Sequence, residues 1–179
     1  MSAIKLRPVN KPTGDNRFCG PAAISCVTGL TTGNIAEILR KVYKRKMITG
    51  LTQGHLRWFL SRCGIKTERV ASYYTEPRPT LAKFWDTSLD IKPSKVYIVV
   101  AGYHYSVIQG DKYCCGIVGD IINVTDKRAR RRAKVLEVFE LSGTLRIPTQ
   151  WVKGTPTYRP NALRVGKANH LSFGLHPYG

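Results

Sequence analysis

The chain lacks any apolar run long enough to cross a bilayer. Its longest, Val96 to Ala101, is six residues, against the roughly 20 that a spanning helix needs. Met1 to Gly14 carries basic residues and no apolar segment, so no secretory signal is expected there. No cysteine framework is present either. The five cysteines, Cys19, Cys26, Cys63, Cys114 and Cys115, are odd in number, and no pair has zinc-knuckle spacing. That usage points to a reducing, cytoplasmic compartment without structural disulfides. No metal and no cofactor is implied. Acidic residues are scarce, and Ser142 to Gly179 has none. These absences argue against an integral membrane protein and against a secreted disulfide miniprotein.

What is present is positive charge on a globular composition. Hydrophobic residues make up 42% of 179, enough to bury a single core without staples. Against 29 Lys and Arg stand 11 Asp and Glu, a formal net charge of +18 with a pI near 10.1. A folded domain so charged repels itself and favours an anionic partner. Nucleic acid is the first candidate, because phosphates reward cations whatever the base sequence. An anionic membrane or an acidic protein surface is the second. The densest run is Lys127, Arg128, Arg130, Arg131, Arg132 and Lys134, six cations in eight residues.

Periodicity predicts helices first and strands afterwards. Residues 1–18 read as an extended segment leading into a turn. A first helix is expected from Cys19, with Pro21 near its start and Gly29 at its end. In a second, capped by Thr31 or Thr32, Ile35, Ile38, Leu39 and Val42 form the apolar face. A third runs from a Thr52 cap through Leu56, Phe59, Leu60 and Cys63 to Gly64. A short strand at 65–71 and a short helix from Leu81 to Trp85 follow. After Pro93, strands are expected at Val96 to Ala101, Tyr103 to Gln109, Tyr113 to Val118, Ile121 to Val124 and Val135 to Leu141. The sum is an α+β domain over 19–141 with a mainly antiparallel sheet. Residues 142–179, with four prolines and no period, read as an extended arm that needs a partner surface.

The candidate chemistry begins at Arg17-Phe18-Cys19-Gly20-Pro21-Ala22-Ala23. A cysteine in the first turn of a helix faces the positive end of the macrodipole, which favours thiolate and depresses its pKa. Gly20 would let a substrate approach the backbone. His104 opens the strand Tyr105-Ser106-Val107-Ile108, where a general base for that thiol belongs. Sixteen residues on comes Asp120, able to orient an imidazole as the third member of a triad does, with Asn123 as a second candidate. His55 lies within the third helix; His170 and His176 lie in the arm. There Trp151, Tyr158 and Tyr178 alternate with Lys153, Arg159, Arg164 and Lys167, a pattern suited to stacking on bases or lodging in a protein groove.

The Cys-Gly-Pro-Ala-Ala element, the helices after it and Gly102-Tyr103-His104-Tyr105-Ser106-Val107 resemble papain-like cysteine peptidases. The closest likeness is to bacteriocin-processing peptidases and their small stand-alone relatives, many of them phage-encoded. The resemblance covers about residues 13–141 and implies a papain-like fold in which Cys19 attacks a carbonyl, His104 shuttles the proton and Asp120 orients it. It departs at position 13, where Thr13 replaces the usual oxyanion glutamine; Asn16, or less readily Asp15, is the substitute on offer. Loss of one oxyanion donor costs roughly a hundred- to thousandfold in rate. It departs again where some small relatives have an acidic residue one strand after the histidine and this chain has Cys114-Cys115.

Two expectations follow. The first is a thiol hydrolase acting on a polypeptide substrate by acyl transfer. The second is a catalytically idle scaffold of the same fold, serving as a basic assembly or nucleic-acid-associated protein, in a virion if phage-encoded. On that reading Arg128, Arg130, Arg131 and Arg132, with Lys153, Arg159, Arg164 and Lys167, are the contacts, and the arm binds an assembly partner.

Overall fold

The computed structural model describes residues 3–11, 18–88 and 91–152. Within them three helices come first: α1 (Cys19–Thr28), α2 (Thr32–Tyr43) and α3 (Gln53–Arg62). The caps are those the sequence offers. Thr31 Oγ1 accepts from Asn34 N, and Thr52 Oγ1 accepts from His55 N. Gly29 closes α1 in the left-handed conformation at φ 78°. All ten residues of α1 are buried, whereas α2 and α3 each bury one face. Val42 departs from expectation. It is 44% exposed, because α2 packs through Ile35, Ile38 and Leu39 and ends one residue later.

The sheet is antiparallel throughout, in the order β1-β6-β2-β3-β4-β5. Its strands are β1 (Ile65–Ser72), β2 (Val96–Ala101), β3 (His104–Gln109), β4 (Lys112–Cys115), β5 (Ile122–Asn123) and β6 (Val135–Gly143). Helix α4 (Leu81–Thr87) follows β1, and the four-residue α5 (Thr149–Val152) follows β6. Both faces of the sheet are covered, which is why β2 is buried at every position. Val96, Ile98 and Val100 face α1, α2 and α3, while Tyr97, Val99 and Ala101 face α4 and the connection that carries the basic run. No single helix among the described residues is long and apolar enough to cross a membrane.

The segment 3–11 has no regular structure but is stitched down. Arg7 N donates to Cys26 O at 2.9 Å, Val9 N to Gly119 O at 2.8 Å, and Leu6 N to the Gln109 side chain at 2.9 Å. At the other end, β6 runs two residues past Leu141 into the stretch read as an arm. The Trp151 ring then packs on Phe59, with centroids 4.6 Å apart, and on Trp58. Residues 153–179, including Lys153, Arg159, Arg164, Lys167, His170 and His176, lie outside the described residues.

Gly20 is buried, and the neighbour pressing on it is Leu51. A Cβ at position 20 would come within 2.6–2.8 Å of three Leu51 side-chain atoms. The close approach expected of a substrate is therefore made by the protein's own core. Overpacking of this kind costs about 1–3 kcal/mol. Gly20→Ala is expected to lower the denaturant midpoint accordingly, and the double variant with Leu51→Ala to lose less than the sum of the two single losses. Additive losses in the double variant would show that the contact is not the cause.

Candidate active site

The β2–β3 connection is a two-residue turn with positive φ at both positions, 55° at Gly102 and 56° at Tyr103. That is the type I′ geometry matched to strand twist. It pairs Ala101 with His104 and sets His104 as the first residue of β3, 8% exposed. Against this end of β3 comes the N-terminus of α1. The Cys19 sulfur meets the backbone N–H of Tyr105, the residue after His104, as well as the N–H groups of Cys19 and Gly20. The fold thus brings Cys19 and His104 to one end of one strand.

The electrostatics differ from the sequence expectation. Burial pushes the Cys19 thiol above the ordinary 9.0, and the three backbone N–H groups only partly offset it. The helix terminus does favour thiolate as expected, but Cys19 is buried together with all of α1, and desolvation of the charge is the larger effect. Cys115 adds to the rise.

Cys115 was not singled out as a site residue by the sequence. It pairs with Ser106, two residues along β3 from His104, so His104, Ser106 and Cys115 share a sheet face. Ser106 hydroxyl lies 2.9 Å from the Tyr113 hydroxyl on the same side. The position from which a neighbouring strand could meet the imidazole therefore carries a thiol. Its signal in the sequence was the alternation that sends Cys114 and Cys115 to opposite faces.

The carboxylate candidates lie as follows. Asp120 is exposed on the turn after β4, where it bears on Cys114 and Arg128 electrostatically. Asn123 pairs with Lys112, which pairs with Gln109. It thus sits level with the far end of β3, five residues or about 17 Å from His104. Its amide donates to Asp111, and its oxygen accepts from Thr125 N and Oγ1. Asn16, Asp15 and Thr13 lie outside the described residues. His55, within α3 as expected, packs its ring tilted against Tyr43 with centroids 4.0 Å apart, and partial burial and then Arg45 lower its pKa.

On the other, helix-facing side of the sheet lies a buried polar group outside the sequence expectations. Glu137 is 1% exposed on β6, in line with Val100 and Tyr105 across the sheet. Its carboxylate accepts from Gln53 Nε2 and from the Tyr74 hydroxyl at 3.0 Å, and pairs with Arg69 at 3.3 Å. Tyr105 donates to Leu51 O at 3.1 Å; burial first, then Cys19, Glu137 and Tyr74, raise its pKa. One glutamate at an inward position of Val135-Leu136-Glu137-Val138-Phe139 was the available signal, because buried acids occur only with partners.

No family model matches the chain, and no curated protein or solved structure matches it.

Because burial dominates at Cys19, its alkylation by iodoacetamide is expected to stay slow through neutral pH and to climb only above pH 9.0. Mass spectrometry of the Cys19 peptide across a pH series checks this. A midpoint below the ordinary thiol value would mean that the helix terminus outweighs desolvation.

Proposed function

We propose that the protein is a papain-like thiol hydrolase in which Cys19 is the nucleophile and His104 its general base. The observation that carries the reading is the meeting of the α1 N-terminus with the start of β3. The same Tyr105 N–H that touches the Cys19 sulfur follows His104 directly in sequence. Cys19 attacks the carbonyl carbon of a polypeptide amide, and its proton passes to His104. The oxyanion is held by backbone N–H groups, of which Cys19 N–H is one, with Asn16 as the side-chain donor the resemblance offers. The imidazolium protonates the leaving amine, and water then hydrolyses the thioester with His104 as base. Since the resting sulfur is a buried thiol, deprotonation belongs to the step in which substrate arrives, not to the free protein.

A second reading is favoured by that same burial and by the thiol of Cys115 on the face His104 shares: an idle scaffold of papain-like type in a basic assembly protein. Peptide vinyl sulfones, which capture an attacking thiolate, separate the two. On the hydrolase reading they label Cys19, and His104→Ala slows labelling by about a hundredfold or more, the usual worth of a general base. Equal labelling of both proteins, or none of either across a varied peptide set, leaves the scaffold reading in its place.

A further inference from the structure

Six cations between Val124 and Val135 do not form a uniform patch. Arg128 is taken up by Asp126, with Nε at 3.1 Å and Nη2 at 2.8 Å from its carboxylate, and Asp126 is held down to about 2 by this contact. Arg131 turns back to Val124 O at 3.2 Å and pairs with Asp86 at 3.6 Å. Lys127, Arg130 and Arg132 form no salt bridge among the described residues, although Lys127 adds to the positive field at Asp126, and all three line one cleft of about 780 Å³ with Thr80. The cleft is built, not incidental. Leu81 N donates to Ala133 O at 2.9 Å and Ala82 N to Arg131 O at 3.0 Å, so the start of α4 is laced to the basic connection.

The β2–β3 turn abuts two residues of this cleft, Arg130 and Ala133. A Cβ on Gly102 would lie 3.2 Å from Ala133 Cβ and from Arg130 Nη2, and Arg130 donates to Gly102 O at 3.4 Å. The next residue, Tyr103, is 56% exposed and held at φ 56°. A bulky aromatic in the left-handed region is an outlier of the kind that persists at functional sites.

We propose that this cleft binds single-stranded nucleic acid, with Lys127, Arg130 and Arg132 on successive phosphates and Tyr103 as a stacking platform for one base. Forked guanidinium donors suit phosphate oxygens, and an exposed ring beside them suits an unpaired base. A duplex keeps its bases stacked inside and offers Tyr103 nothing; an acidic peptide uses the cations alone. The inference does not rest on Cys19 or His104.

The test is fluorescence anisotropy of the full chain with a labelled oligothymidylate of about twelve residues, from about 50 to 200 mM salt. Lys127→Ala with Arg132→Ala should weaken binding and flatten the log–log salt slope by about 1.4, two phosphates at about 0.7 each. Tyr103→Ala should weaken it about tenfold with the slope unchanged. Arg128→Ala should bind as the parent does. Unchanged melting temperatures in these surface variants exclude unfolding as the cause. The proposal is overturned if the double variant keeps the parent affinity and slope. It is overturned equally if a duplex of the same length binds as tightly, or if polyglutamate of matched charge displaces the oligonucleotide as well as unlabelled oligothymidylate does.

Discussion

Everything at the candidate active site depends on the burial of α1. A helix with one wet face can slide or tilt at modest cost, but α1 has no wet face, being enclosed by α2, α3 and the sheet. Its N-terminus therefore has one position, against the start of β3. The type I′ turn does the same for His104 from the other side, since the Ala101–His104 pair closes the hairpin with no free residue. Two rigid devices converge on one end of β3, with Cys19 on the side of Tyr105 and His104 on the face of Ser106 and Cys115. The consequence is chemical as well as geometric, for the enclosure that fixes Cys19 also removes the water that would stabilise its thiolate.

The opposite side of the sheet follows a different logic. There the cover is α4 and an irregular connection, and side-chain contacts to Asp126 and Asp86 sort cations that look equivalent in the sequence into held and free. The sheet thus separates two chemistries, a buried sulfur and carboxylate on the helix side and a cationic cleft on the other. The two meet at the Gly102-Tyr103 turn, which is attached to both through His104 and Arg130.

Local signals proved legible where local physics decides. The Thr52 cap, the Gly29 terminus and the strand at Val96 to Ala101 match expectation, and of Thr31 and Thr32 the cap is Thr31, because each depends on neighbours within a turn or on a short apolar run. The α+β arrangement with helices packed on an antiparallel sheet was legible in the same way. The pKa of Cys19 was not, because the macrodipole belongs to its own helix whereas the desolvation comes from elements far along the chain. For the same reason Gly20 was read as open to substrate when Leu51 fills the space. Cys115 and Glu137 acquire their surroundings only from strand register, which no window of sequence contains. Asn123 is the second candidate for orienting the imidazole, but the register carries it to the other end of the strand.

Strand order has a consequence for how the molecule comes into being. The last strand among the described residues, β6, lies between β1 and β2, so neither has its full set of partners until residues 135–143 exist. A chain emerging from the ribosome must hold β1 open beside a finished helical layer and wait for an insertion, not an addition at the edge. Non-local pairing of this kind is slow and leaves strand edges bare meanwhile. The basic run at the end of α2, with Arg40, Lys41, Lys44, Arg45 and Lys46 close together, gives such half-made chains like charge, and like charge opposes their association.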